Sequence, residues 1–195
     1  FKQKTAYEIG VRLVGSEMCI RDRGWFEIAM VAAGTGARPS SYGRLKKKDL
    51  EVLADGKARL KLTHCKTGTK LQEFYHAYIK PDLRDILVER CEDLEDDDYI
   101  FGCLTRENVA VSAVTINGSF RKMMAAAGLA GNPYKLRHTF GMLTANNPRV
   151  ALPAVQKSMG HKTIATTMAY VEGEEEGQVA AAEVVFESVL DDEAA

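Results

Sequence analysis

Three side chains near the carboxyl end of the chain have the types and the spacing that phosphoryl-transfer chemistry requires. Arg137 opens the run RHTF, His161 follows Met-Gly, and Tyr170 lies nine residues after that histidine. A phosphodiester carries a negative charge that grows in the transition state, so guanidinium and imidazole donors must surround it while a hydroxyl attacks in line. The pattern therefore predicts two anion-binding groups and one nucleophile at a single site.

Two segments nearer the amino end contain basic residues that could join this site. Arg38 lies in the run TGAR, and Lys66 opens the turn KTGTK, in which Lys70 is a second candidate. A second arginine would offer forked donors to the nonbridging phosphate oxygens, a geometry that lysine cannot match. A lysine on a turn could reach a leaving oxygen and protonate it as a general acid.

Together these runs resemble the conserved boxes of the tyrosine recombinases, the phage integrase family. The family boxes read approximately Thr-Gly-x-Arg, Lys-Thr-Gly, His-x-Leu-Arg-His-Thr-Phe, Leu-Gly-His and Thr-Thr-x-x-Tyr, and the likeness extends over residues 25–171. The resemblance implies site-specific cleavage and rejoining of double-stranded DNA through a 3′-phosphotyrosyl intermediate, without a metal or another cofactor. It implies a set of catalytic residues with Tyr170 as the nucleophile: Arg38, Lys66, Tyr134, Arg137, His161 and Tyr170.

Two positions depart from the family pattern. Tyr134 stands where the family usually has histidine, and Ser41 stands where it has an acidic residue that supports the first arginine. Because positions i and i+3 share a helix face, Tyr134 is expected to point toward the site with Arg137. A phenol donates a hydrogen bond but is a poor base at neutral pH, so catalysis is expected to be slowed rather than abolished.

Two other functions fit the same residues. The chain could be a catalytically impaired DNA-binding remnant of an integrase, which the departures at Ser41 and Tyr134 favour. A type IB topoisomerase uses a similar residue set, but the close spacing from Gly160-His161 to Tyr170 favours a recombinase.

The first 23 residues are expected to lie outside the natural protein. Residues 2–9 (KQKTAYEI) and 13–23 (LVGSEMCIRDR) are similar to translated sequencing-library adapters, so segment 1–23 is not expected to form part of the fold. A truncated catalytic domain is predicted over 24–171, followed by an acidic tail over 172–195. The resemblance implies that a helical domain which clamps DNA from the other side once preceded Gly24.

The formal net charge of −1 conceals an asymmetry along the chain. Residues 172–195 hold nine acidic residues and no lysine or arginine, whereas residues 24–171 hold 21 basic against 15 acidic residues, a net of +6. A basic body is compatible with a surface that binds phosphates. Within the tail, apolar residues in 179–190 suit a helix that docks on a neighbouring protomer or on its own domain. The resemblance implies a homo-tetramer on DNA, assembled by exchange of this helix.

Composition places the chain among ordinary globular proteins. Hydrophobic residues make up 46% and charged residues 27%, and no apolar run approaches the length of a membrane span. The four cysteines lack the spacing of metal ligands, so they are interpreted as reduced thiols of a cytoplasmic protein.

The apolar periodicity predicts a mainly helical domain with a small three-stranded antiparallel sheet, an α+β fold. An Asp55-Gly56 turn separates the first two strands, and the helix that holds Arg137 is expected to turn Phe140 and Leu143 inward as well. The resemblance implies the catalytic-domain fold of DNA breaking-rejoining enzymes. The predicted helices cover 25–33, 81–91, 112–127, 133–147, 150–159 and 163–171, and the strands 50–53, 59–63 and 71–78.

Overall fold

A computed structural model of the protein describes residues 20–63 and 73–171, with side chains from residue 23 onward. These residues form a mainly helical domain with one three-stranded antiparallel sheet of order β1-β2-β3, which confirms the predicted fold class. The helices are α1 (Ile20–Thr35), α2 (Pro39–Tyr42), α3 (Pro81–Arg90), α4 (Ala113–Ala126), α5 (Pro133–Ala145), α6 (Leu152–Met159) and α7 (Ile164–Met168). The strands are β1 (Leu50–Val52), β2 (Ala58–Thr63) and β3 (Phe74–Ile79), and short 3₁₀ turns cover Lys47–Asp49 and Gly102–Leu104.

Helix α1 is the central element of the domain. It buries Trp25, Ile28, Val31 and Ala32, which recur at the three- and four-residue spacing of one helix face. This face packs against α3, α5 and β3. The predicted boundary near Gly24 falls inside α1 and stays a prediction.

The sheet buries alternate residues, as the sequence pattern predicts. Leu60 and Leu62 of β2 are buried, and Ala77 of β3, which pairs with Leu60, is buried beside them. The intervening Lys61 pairs with His76 on the outer face. The β2–β3 turn, with the predicted general acid Lys66 and its alternative Lys70, lies outside the described residues.

The helix ends follow the local sequence, with two corrections. Asn132 caps α5 by accepting a hydrogen bond from the Lys135 amide at 3.2 Å. Helix α7 stops at Met168, so Tyr170 lies in a turn just beyond a helix that was expected to include it. Leu143 is 68% exposed, and the expectation that it faces inward was wrong. The inward row of α5 instead runs from Arg137 to Gly141, which is four residues on and therefore on the same helix face.

Among the described residues, no helix is long and apolar enough to cross a bilayer. Cys91 and Cys103 are free thiols, and the other two cysteines lie outside the described ranges.

A buried ion pair joins α1 to α3. Nε of Arg90 donates to the Glu27 carboxylate, and both side chains are almost fully excluded from solvent. Burial raises the pKa of Glu27 even though the hydrogen bond and charge of Arg90 act to lower it. Removing one partner would therefore leave a charge in the interior without compensation.

We expect Glu27→Ala to lower the free energy of unfolding by about 3–5 kcal/mol, because Arg90 is then buried without its partner. Urea denaturation measures the change, and a Glu27→Leu/Arg90→Met double variant should recover most of it because neither charge remains. Glu89→Ala is the matched control, since it removes an exposed pair with Arg23 and should cost less than about 1 kcal/mol. If Glu27→Ala and Glu89→Ala lowered the free energy of unfolding equally, Glu27 and Arg90 would not be a buried ion pair.

Candidate active site

The Arg137 side chain lies at the centre of the candidate site. It projects from the inward face of α5, is 6% exposed, and donates through Nη1 to the Gly36 carbonyl at 2.5 Å and the Met159 carbonyl at 3.0 Å. These two carbonyls belong to the α1–α2 loop and to the end of α6, so one guanidinium joins three segments. Nη2 is also buried, and it has no hydrogen-bond partner within 20–63 and 73–171.

The α1–α2 loop can approach Arg137 because residue 36 is glycine. Gly36 has φ of +62°, and a Cβ atom there would lie 2.5 Å from Cδ1 of Phe140. A larger residue would therefore meet the Phe140 ring of α5. The loop conformation keeps the Gly36 carbonyl on Arg137, and α2 begins three residues later at Pro39, immediately after Arg38.

Arg38 precedes the first turn of α2 and is half-buried. Arg38 lies close enough to Arg137 and His161 that its positive charge contributes to lowering the pKa of both. Arg38 has no carboxylate partner in the described part of the chain. Helix α2 is fixed by Ser41, whose buried Oγ donates to the Thr63 carbonyl at 2.8 Å, so Ser41 anchors the helix to β2.

His161 is held at the turn that follows α6. Gly160 ends that helix with φ of +63°, and the His161 amide then donates to the Gln156 carbonyl at 2.9 Å. The imidazole Nδ1 lies 2.9 Å from Oγ1 of the buried Thr167. Burial, followed by the charges of Arg137 and Arg38, lowers the pKa of His161 to about 4. The ring is therefore neutral at pH 7.

The Tyr170 ring lies between two histidine rings. It is parallel to His161, with centroids 6.0 Å apart and 4° between the planes, and it meets His138 edge-on with centroids 5.3 Å apart. A Cβ at position 141 would lie 2.7 Å from Cδ1 of Tyr170, so Gly141 leaves the space that this ring occupies. The Tyr170 carbonyl accepts from Nδ2 of Asn146 at 2.9 Å, which fixes the backbone against the end of α5.

The electrostatics of the site favour an anion. Burial is the main cause that lowers the Arg137 pKa, and repulsion from Arg38 adds to it. The Tyr75 and Tyr170 phenols act to raise the Arg137 pKa, although Nη2 of Arg137 does not donate a hydrogen bond of ordinary geometry to Tyr170. No ion pair among the described residues places a carboxylate on either arginine. A negative group between the two guanidinium groups would relieve their repulsion and satisfy Nη2.

Of the six predicted site residues, the structure brings four together: Arg38, Arg137, His161 and Tyr170. Tyr134 is 50% exposed on α5. Burial raises the pKa of the nearby Tyr42, and the Tyr134 phenol adds to this effect. The sixth residue, Lys66, lies outside the described ranges.

Four residues at the site were not identified from the sequence. His138 and Gly141 lie against the Tyr170 ring, and the RHTF run and the i+4 spacing from Arg137 were available signals for them. Thr167 is the second threonine of the Thr-Thr-x-x-Tyr box, but its hydrogen bond to His161 depends on how α7 packs against the end of α6. Tyr75 had no local signal, because only the packing of β3 brings its phenol near Arg137.

Solved structures of known recombinases share this fold. The chain is similar to XerA recombinase, with a TM-score of 0.67 and 21% identity, over 93% of this chain and 63% of that one. It is also similar to XerH recombinase bound to its difH substrate in a pre-cleavage complex, with a TM-score of 0.71 and 19% identity, over 91% of this chain and 51% of that one. A lambda integrase dimer bound to a COC' core site matches with a TM-score of 0.57 and 19% identity, over 89% of this chain and 62% of that one.

The chain thus spans between about half and two thirds of the length of these structures. No curated protein matches the chain by sequence. The sequence pattern of the phage integrase family, however, matches residues 15–176, which include every segment of the candidate site. The chain therefore belongs to the phage integrase family.

Proposed function

We propose that this chain is the catalytic part of a site-specific DNA recombinase that cuts and rejoins duplex DNA through Tyr170. The observation that carries the proposal is that Arg38 and Arg137, which have no carboxylate partner among the described residues, converge with a tyrosine phenol and a neutral histidine. Such a set suits a phosphodiester, whose charge would occupy the space between the guanidinium groups. The XerH and lambda integrase structures, which are DNA complexes, support a duplex DNA partner.

In the proposed reaction, Arg137 and Arg38 bind the nonbridging oxygens of the scissile phosphate. Nη2 of Arg137, which has no hydrogen-bond partner among the described residues, supplies a donor for the phosphate. Its Nη1 bonds to two carbonyls hold the guanidinium in place before DNA arrives, so little reorganisation is needed as charge develops.

Tyr170 is the proposed nucleophile. Its hydroxyl oxygen bonds to phosphorus and loses its proton, while the bond from phosphorus to the 5′ oxygen breaks. Lys66 is proposed to give a proton to that departing oxygen as the general acid, on the strength of the family resemblance. The product is a 3′-phosphotyrosyl linkage, and attack by a 5′ hydroxyl reverses the step and releases Tyr170.

His161 is proposed to act as a neutral hydrogen-bonding group. With Nδ1 bound to Thr167, Nε2 is the ring nitrogen left for a phosphate oxygen or for the nucleophile. Thr167 therefore orients the imidazole, and the parallel contact with Tyr170 keeps the two rings in a fixed relation.

Assembly as a tetramer on DNA is part of the proposal. The segment expected to exchange between protomers, 179–190, lies outside the described residues. Support comes from an apolar groove of about 640 Å³ between β3 and α6 that reaches His161. Phe140 and Val155 line it, and these side chains suit an apolar helix face.

A nicked suicide substrate tests the central step, because loss of the short 5′ fragment prevents rejoining and traps the covalent intermediate. We expect a protein–DNA adduct that survives denaturation and that maps to Tyr170 by peptide mass spectrometry. Tyr170→Phe should form none, because it keeps the ring and loses the nucleophile. DNA binding without any adduct from the unaltered chain would instead support the non-cleaving remnant.

A second prediction concerns the space for the nucleophile. Gly141→Ala should slow adduct formation by about 100-fold, since a displacement of about 1 Å at the reacting atom can have that effect. Thermal unfolding should show a folded protein, because alanine favours a helix interior over glycine by about 1 kcal/mol. Gly118→Ala in α4 is the matched control, because apart from its own turn of helix no described atom lies within 4 Å of the added Cβ. An unchanged rate in Gly141→Ala would contradict the positioning role.

A third prediction concerns pH. The pKa of His161 is about 4 in the folded chain and about 6.5 when unfolded, so the unfolded state takes up the proton first as pH falls. This residue should therefore make the protein less stable at pH 5 than at pH 7.5, by up to about 2 kcal/mol. Urea denaturation at both pH values should show a smaller loss in His161→Gln. An equal pH dependence in the two proteins would show that the ring is not buried in its neutral form.

A further inference from the structure

We propose that a basic pocket beside the candidate site binds the DNA backbone at a phosphate other than the scissile one. This inference rests on the proposed function. The pocket has a volume of about 360 Å³ and lies between the α2–β1 segment and the outer face of the sheet. Its lining contains four cations, one carboxylate and two aromatic rings: Arg44, Lys46, Lys48, Lys61, Asp49, Phe74 and Tyr99.

Two of the four cations have no carboxylate partner among the described residues, Arg44 and Lys61. Lys46 and Lys48 share Asp97, and their hydrogen bonds and charges lower the pKa of that carboxyl to about 2. With the carboxylates of Asp97 and Asp49 both counted against the four cations, the pocket retains a positive excess.

Aromatic rings contact two of the pocket's three lysines, and for Lys61 the ring is not accompanied by a carboxylate among the described residues. Nζ of Lys61 lies 4.5 Å from the centroid of Phe74, and Nζ of Lys46 lies 5.4 Å from the centroid of Tyr99. A cation–π contact restrains an ammonium group but leaves its full charge available, whereas a carboxylate would cancel it. Lys61 is thus held in place as a free cation, as a phosphate contact requires.

The pocket and the candidate site share one structural unit. Arg38 precedes α2 and Arg44 follows it, so this single turn of helix carries a guanidinium on each side. The Ser41–Thr63 hydrogen bond joins α2 to β2, and Thr63 itself lines the pocket. A duplex strand held at Arg38 would present its neighbouring phosphates to Arg44 and Lys61, since each strand carries one phosphate per 3.4 Å or so of helix axis.

The test is the salt dependence of duplex DNA binding by the 195-residue chain. Each lost phosphate contact should reduce the slope of log affinity against log salt by about 0.9. The affinity ratio of the unaltered chain to Arg44→Gln, or to Lys61→Gln, should then shrink about 3.5-fold between about 50 and 200 mM salt. For the double variant the ratio should shrink about twelvefold. The reduction should be the same on unrelated duplexes, because phosphate contacts carry no sequence information.

Lys57→Gln is the matched control, since Lys57 is already paired with Asp55 at 2.7 Å and lies at the far turn of the sheet. Its slope should equal that of the unaltered chain. Adduct formation at saturating DNA should be retained in all of these variants, because none alters a residue that contacts the scissile phosphate. Unchanged slopes alongside a normal adduct would overturn the pocket proposal and leave the proposed function intact. Absence of both DNA binding and adduct in the unaltered chain would overturn both.

Discussion

The two hydrogen bonds of Arg137 Nη1 are the constraint on which the site depends. One bond joins α5 to the loop after α1, where Gly36 lies 101 residues before Arg137 in the sequence. The other joins α5 to the end of α6, where Met159 lies 22 residues after Arg137. Arg38 lies two residues after Gly36, and His161 lies two residues after Met159. Both side chains are therefore positioned through the Arg137 guanidinium. A buried cation is costly unless its donors are satisfied, and here backbone carbonyls satisfy part of it. The fold thus fixes the side chain and leaves one donor for a ligand.

This arrangement holds positive charge at a place where the described residues supply no carboxylate partner for Arg38 or Arg137. The nearby His161 is neutral first because it is buried, which lowers its pKa, and then because its protonation would add a further cation beside Arg137 and Arg38. Tyrosine phenols and carbonyl oxygens are the partners that the described residues provide. They are weaker than a carboxylate, so a phosphodiester would meet little competition for the guanidinium groups.

Small residues determine how closely these segments approach. Gly36 lets the α1–α2 loop pass over Phe140, and Gly141 leaves room on α5 for the Tyr170 ring. Ser41 has a structural role at a position where the family usually has an acidic residue. Its hydroxyl ties α2 to β2 in place of a charge, so Arg38 has no carboxylate support within the described residues. The link also connects the candidate site to the basic pocket.

Periodicity and boxes such as RHTF predicted the longer helices, the three strands and the family, because these signals lie within short stretches of the chain. The one-turn helix α2 was not predicted, and the proposed site residues Arg38, Arg137, His161 and Tyr170 come from the residue types and order in those boxes. It did not reveal that Leu143 faces solvent or that Tyr75 and His138 lie beside the site. Tertiary structure decided these features, as well as the low pKa of His161, because burial and neighbouring charges arise only when distant segments pack together.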